Sequence, residues 1–557
     1  MIKKIFVIIA ILVYVSQAFG QTVTADLVIT NSNIRTMDAK RSVVRSIAVL
    51  NGKIVALGSD ADTRSLIGPK TRVIDAKGKL VLPGFNDAHV HFLETGLQLS
   101  LLDLRDAKTS EEFVQRIKEY AAKMPKGRWI VGGKWDHENW KPNNLPTAAM
   151  IDGVTPDNPV FIDRLDGHMA LANSLAMKQA GLSKDTKDVA GGQIVRDANG
   201  NPTGILKDAA MDIVNDRIPL LTFNERLEAI IAASDNAASL GVTSVQDLGY
   251  TTDPVKVRGM DIGVYQELVR QGKLKTRVYA CSPLSEYKRW ANTGVTAAFG
   301  NAMLRTGCLK GYADGSLGSR TAWMFEPYLD DPTTSGLEAE EITADAIAAD
   351  KAGLQVMVHA IGDRANRKIL DIYETATKSN GMRDRRFRIE HAQHLRPQEI
   401  PRFGKLKVVA SMQPIHLIDD GRWAWKRLDE TRLKGAYAFR KLLDTDAVLA
   451  FGSDSPVASM NALWGIYAAV TRRTLDNKNP NGWIPEQRIT VDEAVRAFTY
   501  GSAYAEFQEN VKGTIEVGKL ADLVIISDDI FTLNPIKIKD ARVLLTIMDG
   551  KVIFESK

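Results

Sequence analysis

The sequence is poor in cysteine: Cys281 and Cys308 are the only two in 557 residues. Both lie in apolar, strand-like segments, where a pair of buried free thiols is the commoner state in so large a core, so function is not built on them. No run of Lys or Arg forms a stripe for phosphate, and the net charge of +5 is spread over interleaved acids and bases, which excludes a nucleic-acid partner. There is no internal repeat and no low-complexity linker. The one long apolar run, Ile5 to Val15, is too short for a bilayer span, which needs about 20 residues.

That run has another explanation. Lys3 and Lys4 give a positive start, and Ala18-Phe19-Gly20 offers small residues for cleavage, so residues 1–20 read as a signal peptide. The mature chain is expected to begin near Gln21, to be exported to the periplasm or secreted, and to keep no stable membrane anchor. No Cys follows the cleavage site, so no lipid anchor is expected either. The chain is 45% hydrophobic and 25% charged, enough for a large core and more than one domain.

Short strands are expected at Ala25 to Ile34, Ser46 to Gly58 and Thr71 to Leu82, separated by turn signals such as Asn51-Gly52 and Lys77-Gly78. The far end repeats the style at Ala521 to Ile526, Val543 to Met548 and Lys551 to Phe554, with Asp549-Gly550 as a hairpin signal. The two ends, 21–82 and 512–557, are expected to pair into one small β-sandwich.

Over 83–511 strands alternate with helices, the pattern of parallel βα units. Strand candidates are Leu80 to Phe85, Val242 to Leu248, Arg277 to Ser282, Leu304 to Tyr312, Leu354 to Ala360, Phe387 to Ala392, Lys407 to Gln413 and Ala447 to Asp454. Eight such strands predict an α/β fold, a closed (β/α)8 TIM barrel with its chemistry at the carboxyl ends of the strands. The first two are separated by far more chain than one βα crossover needs, so an insertion is predicted at about 96–220. It carries a capped helix from Thr109 to Lys123 and an aromatic-rich loop with Trp135, His137 and Trp140. Leaving from the carboxyl end of the first strand, it is expected to cover the site mouth and to select the substrate.

Polar residues gather at these strand ends: His89 and His91, then Lys310, His359, His391 and Asp454. In an extended chain, residues i and i+2 point to one side, so His89 and His91 can reach one metal ion. Singly, each has a structural explanation as a hydrogen-bonded core histidine or a turn residue. Lys310 is the informative one, because a Lys flanked by Cys308, Leu309 and Tyr312 in a barrel strand buries a cation at considerable cost. Carboxylation of its amine by carbon dioxide turns that cation into an anionic carbamate.

These residues stand in motifs that resemble the amidohydrolase superfamily, in particular the amidohydrolase family 3 group that includes N-substituted formamide deformylases. The resemblance covers nearly everything after the signal peptide. It rests on Ala25-Asp26-Leu27-Val28-Ile29, Asn51-Gly52-Lys53-Ile54, the stretch from Pro83-Gly84-Phe85 to His89-Val90-His91, and the stretch from Gly513 to Val524. Asp166-Gly167-His168 with Asn173-Ser174, the stretch from Lys310-Gly311-Tyr312 to Gly318-Ser319-Arg320, and Gly452-Ser453-Asp454-Ser455-Pro456 mark the group. It implies a divalent-metal centre, two zinc ions per chain, with His89, His91 and Asp454 on one ion and His359 and His391 on the other. Carboxylated Lys310 would bridge them.

Neutral imidazoles and carboxylates are the ligands zinc favours, and a catalytic zinc site keeps a position open for water. Such an ion lowers the pKa of its water to about 7, which makes a nucleophile available near neutral pH. Asp454 is expected to move the proton from water to the leaving nitrogen, and His416 to donate to the developing oxyanion, unless it is a solvated loop residue. His168, Trp135 and Arg320 are candidate substrate contacts, with a turn residue, plain core and an ion pair as their structural alternatives. His394 is expected to orient a ligand rather than to be one. The expected activity is hydrolysis of a non-peptide C–N bond in a small molecule, by a chain that forms a homodimer. Ester or lactone hydrolysis on the same site and a metal-free ligand-binding or regulatory role remain as alternatives.

Overall fold

The computed structural model describes residues 23–164, 169–190, 192–249, 262–474 and 476–556. Residues 1–20, expected to be a signal peptide, lie outside the described residues. Two compact units are distinguished: Leu93–Ala233, and a larger one that takes in the described residues up to Phe92, Ser234–Gly249 and those from 262 onward.

The larger unit holds eight parallel strands. They are β1 (Phe85–Val90), β2 (Val242–Asp247), β3 (Arg277–Pro283), β4 (Leu304–Tyr312), β5 (Gln355–Ala360), β6 (Arg388–His391), β7 (Val409–Met412) and β8 (Leu449–Phe451). Each pairs with the next in order. Helices make the return crossovers. Asp363–Asn380, between β5 and β6, buries Ile369, Leu370, Tyr373 and Ala376, the one-sided spacing that seats a helix on a sheet.

The ends of this sheet meet at a seam between β1 and β8. Past the ladder proper, the Asp454 N–H donates to the His89 carbonyl at 2.7 Å, and the His91 N–H to the Ser455 carbonyl at 2.8 Å. Below them the Asp87 carboxylate accepts from the Ser453 N–H at 2.9 Å and the His89 N–H at 3.2 Å. Gly452 permits this close approach, because a Cβ there would lie 2.5 Å from the His89 nitrogen. The barrel is thus almost closed, and its last stitches are made by residues beside the candidate metal ligands.

The first strand differs from expectation. Leu80–Pro83 pairs with Leu523–Ile526 and with Asn33–Arg35, not with the barrel. The barrel strand begins at Phe85, so the apolar run crosses from one sheet to the other at Gly84. A Cβ at Gly84 would strike the Thr243 hydroxyl at 2.3 Å, so a larger residue does not fit at the switch. Hydrophobicity is unbroken through the run, which is why periodicity does not show the change of partner.

Both chain ends build the other layer. One sheet has the order Lys53–Gly58, Ser46–Leu50, Leu27–Thr30, Arg72–Asp75; the second runs Lys551–Glu555, Val543–Met548, Leu523–Ile526, Leu80–Pro83, Asn33–Arg35, Val43–Val44. Ile29, Ile47, Val49, Val81, Leu523, Ile525 and Ile547 form one buried cluster. Burying each such side chain contributes about 1.5–3 kcal/mol, which ties the two termini together.

The inserted unit is wider than expected. It folds around a six-stranded sheet from Leu102–Asp103 to Pro202–Asp208 and Gly192–Arg196. Its helix Ser110–Ala121 starts at Thr109, whose hydroxyl accepts from the Glu112 N–H. Its core contains Phe113, Ile117, Ile162, Trp135 and Trp140.

The two cysteines correct an expectation. Cys281 on β3 and Cys308 on β4 face each other in register, with Cα atoms 4.7 Å apart, and form a disulfide instead of two free thiols. Their separation in sequence does not reveal that adjacent parallel strands bring them side by side.

Candidate metal centre

Six expected ligands stand at the carboxyl ends of five barrel strands. His89 and His91 come from the end of β1, Lys310 from β4, His359 from β5, His391 from β6, and Asp454 from just past β8. All except the half-buried His359 are buried.

Ligand atoms of His89, His391 and Asp454 lie within 4.8 Å of one another. Asp454 Oδ1 is 3.2 Å from His89 Nε2 and 3.1 Å from His91 Nε2. Next to this trio the His391 ring centre is 4.4 Å from that of His359 and 4.9 Å from that of His89.

The far side of each ring decides what the near side offers. His89 Nδ1 lies 2.7 Å from Glu390 Oε2, and His91 Nδ1 lies 2.5 Å from the Gly249 carbonyl. Both partners only accept, so both Nδ1 atoms carry hydrogen, and each Nε2 presents either a lone pair or an added proton to Asp454. His359 Nε2 donates to the Gly315 carbonyl at 3.1 Å, leaving Nδ1 as its lone-pair atom. Among the described residues, His89 Nε2 and His391 Nδ1 are buried without a hydrogen bond. Two imidazole nitrogens turned toward one ionised carboxylate oxygen require a cation between them, a proton or a metal ion. The donor set of nitrogen and carboxylate oxygen fits a divalent metal such as zinc.

Charge states agree with that fit. Burial raises the Asp454 carboxyl, but the imidazoles beside it outweigh burial and hold it well below the usual range. Burial, and then Lys310, pushes His359 down to about 3, and burial with His359 pushes His391 well below an ordinary histidine. Both imidazoles are therefore neutral, the form a metal binds. Burial brings the Lys310 amine down to about 8, against the pull of Glu390 and Asp454.

Two of these residues are held in the left-handed backbone region, His391 at φ 72° and Asp454 at φ 60°. Such conformations cost on the order of 1–3 kcal/mol each in residues other than glycine. At His391 the twist breaks the alternation of β6, so Glu390 and His391, adjacent in sequence, both reach the site. Sequence reasoning missed Glu390 for that reason. The available signal was Arg388-Ile389-Glu390, opposite charges two apart in a short strand, which share one face and pair at 2.7 Å.

Other expected site residues divide. His416, on a 3-10 turn after β7, comes to the site: its Nε2 is 3.9 Å from Asp454 Oδ2, and its ring stacks on His391 at 6.3 Å. Its side chain is only 15% exposed and its Nε2 is buried, so the solvated-loop alternative fails. His394 lines a separate cavity of about 490 Å³ with Asp363, Arg396 and Arg432. Trp135, expected to touch substrate, is instead core: it is fully buried against Phe113, and its Nε1–H donates to the Ile162 carbonyl at 2.9 Å. Arg320, expected at a substrate carboxylate, is engaged by Asp330 at 3.0 Å. His168 lies outside the described residues.

Comparison with known proteins follows the same lines. The amidohydrolase family model matches residues 72–554. Protein LONG AFTER FAR-RED 3 of Arabidopsis thaliana is 41% identical over 542 residues, 96% of this chain and 92% of that protein. The N-substituted formamide deformylase of Arthrobacter pascens is 26% identical over 546 residues, 95% of this chain and 98% of that protein. The crystal structure of an uncharacterized metal-dependent hydrolase from Pyrococcus furiosus superposes with a TM-score of 0.73 at 31% identity, covering 91% of this chain and all of that one (100%). With the barrel, the seam and the ligand cluster in agreement, this chain belongs to the amidohydrolase family and is a metal-dependent hydrolase.

Proposed function

We propose that this hydrolase cleaves the C–N bond of an N-formyl or N-acyl amine, giving an acid and an amine, and that it works outside the cytoplasm. The observation that carries the chemistry is the convergence of His89, His391 and Asp454 ligand atoms within 4.8 Å, with buried ring nitrogens left unpaired. The similarity to a formamide deformylase over nearly the full chain supports the choice of an amide.

His89, His91 and Asp454 would hold one zinc, and His359 and His391 a second, with carboxylated Lys310 between them. A divalent ion in this place acidifies water and polarises the scissile carbonyl. The protein supplies the rest. Asp454 is ionised, with Oδ1 turned to the histidines and Oδ2 facing His416, so Oδ2 is the atom that takes a proton from water and gives it to the leaving nitrogen. His416 Nε2, buried and without a hydrogen-bond partner among the described residues, donates to the carbonyl oxygen as charge builds on it. Burial lowers the His416 pKa, so the donor in this role is the Nε2–H tautomer of the neutral ring.

Two features support export: the residues 1–20 pattern, and the Cys281–Cys308 disulfide, a bond that persists in oxidising compartments. Among the described residues no helix is long and apolar enough to cross a membrane.

The test is a matched panel of N-formyl amines, N-acetyl amines and the corresponding esters, with acid release followed by NMR on zinc-loaded protein. Amide cleavage well above ester cleavage is expected after allowing for the uncatalysed rates. Turnover of esters or lactones alone would replace this assignment with the esterase alternative.

A further inference from the structure

Arg388 and Glu390 sit two residues apart on β6, so both point into the barrel, and neither is exposed at all. Every guanidinium nitrogen of Arg388 is engaged. Nε donates to Glu390 Oε1 at 2.7 Å, one terminal nitrogen donates to Gln246 Oε1, and the other donates to the Ala88 carbonyl at 2.6 Å and the Ser411 hydroxyl at 2.9 Å. The Ala88 carbonyl belongs to the peptide that leads into His89. The same guanidinium therefore grips the backbone of β1 and the carboxylate behind the His89 ring.

Glu390 uses both of its oxygens: Oε1 accepts from Arg388 and Oε2 accepts from His89 Nδ1 at 2.7 Å. A buried carboxylate with a fixed cation on one side has one use for the other side, which is to hold a hydrogen on Nδ1. The Arg388 guanidinium, fully buried and 2.7 Å from Oε1, balances the charge of the carboxylate. Nε2 of the same ring then faces Asp454 Oδ1 at 3.2 Å. His91 differs, because its Nδ1–H goes to a neutral backbone carbonyl. A carboxylate behind an imidazole raises its basicity more than a carbonyl does.

We propose that Glu390, held by Arg388, is a positioning residue for the metal centre: it fixes His89 as the Nδ1–H tautomer and makes its Nε2 a stronger ligand than that of His91. The proposal rests on the metal-centre assignment made under the proposed function. Glu390 touches neither substrate nor the reacting atoms, and it acts only through His89. A substitution there changes metal affinity first and turnover as a consequence.

Glu390→Gln is the discriminating variant, since an amide has the same shape but offers a single acceptor where the carboxylate offers two. Zinc affinity of metal-stripped protein is measured by competition with a chromogenic chelator, together with the visible spectrum of the cobalt form and the melting temperature of the stripped form. Expected are a ten- to hundred-fold loss of zinc affinity, a shifted cobalt spectrum and an unchanged melt of the stripped protein. His89→Gln and His91→Gln are compared in the same assay, and the His89 replacement is expected to lose more affinity. Independently of any variant at 390, long-range 15N spectra of wild type labelled on its eight histidines report the His89 tautomer. Nδ1–H in the stripped protein is expected.

Wild-type zinc affinity in Glu390→Gln, or an Nε2–H tautomer at His89, overturns the proposal. If Glu390→Gln does not fold, the wild-type tautomer decides. Wild type that binds no zinc refutes the metal centre itself, whereas normal binding unaffected by Glu390→Gln refutes only this role.

Discussion

The two walls of the site are built differently. On the seam between β1 and β8, Asp454 sits 3.1–3.2 Å from two imidazoles whose far nitrogens are tied to Glu390 and Gly249. Across the barrel, the Lys310 ammonium has no hydrogen bond or ion pair among the described residues; the Tyr312 ring lies 4.9 Å from it, and Glu390 and Asp454 act on it from beyond ion-pair distance. Between the two, His391, whose ligand atom lies within 4.8 Å of those of His89 and Asp454, has a buried Nδ1 without a hydrogen bond. The seam wall is preorganised for one ion by the same contacts that close the barrel. The far wall is held by burial, and under the proposed function carboxylation of the Lys310 amine would complete it by turning a cation into an anion. Metal occupancy is therefore expected to be unequal, with the seam filled first.

The largest effect is expected from breaking the seam. Asp454→Asn keeps the shape but removes the charge that faces two imidazoles and the oxygen proposed to move the proton, so kcat/KM is expected to fall on the order of a thousand-fold or more, by analogy with loss of general acid–base groups compounded by lost metal affinity. Steady-state kinetics with metal analysis of the same sample checks both parts. Retained turnover at full metal content would remove Asp454 from its role.

The far wall predicts a pH dependence. Carboxylation needs the neutral amine, and burial brings Lys310 from the ordinary lysine value down to about 8. Below that value the amine is protonated and unreactive, and above it the amine is free. Bicarbonate-dependent recovery of metal-stripped protein should therefore rise with pH through a midpoint near 8. A midpoint near the ordinary value of about 10.4 would mean that Lys310 is not desolvated as the structure has it.

How much of this was visible in the sequence follows from which interactions are local. His89 and His91 were readable because i, i+2 spacing in a strand is a local rule, and the other strand-end residues because each βα unit announces its own strand. The switch of sheets at Gly84 was not readable, since both sheets want the same apolar run. The Cys281–Cys308 bond and the Asp87 contact to Ser453 depend on strand neighbours far apart in sequence. Glu390 was hidden by the left-handed turn at His391, which violates the alternation that sequence reasoning relies on. Trp135 was misassigned because an aromatic in a loop-like segment looks the same whether it lines a pocket or fills a core.

The disulfide beneath Lys310 tests how far the walls depend on the scaffold. Cys308 lies two residues before Lys310 on β4, and the cross-link closes a sequence separation of 27 residues. Replacing both cysteines by alanine should lower unfolding free energy by about 3 kcal/mol, measured by denaturant titration. Loss of metal from the seam in that variant would contradict the independence of the two walls.

The smallest effect belongs to the inserted unit. Trp135→Phe removes the bond to the Ile162 carbonyl and should cost about 1 kcal/mol in stability while leaving metal content and KM unchanged. A raised KM with unchanged stability would instead place Trp135 at the substrate.

The most direct measurement is elemental analysis of metals per chain in protein prepared with zinc and bicarbonate, for wild type and for Lys310→Ala. About two ions in wild type and one in the variant are expected, the survivor sitting at the seam. No metal in wild type, or loss of both ions together in Lys310→Ala, would contradict the account.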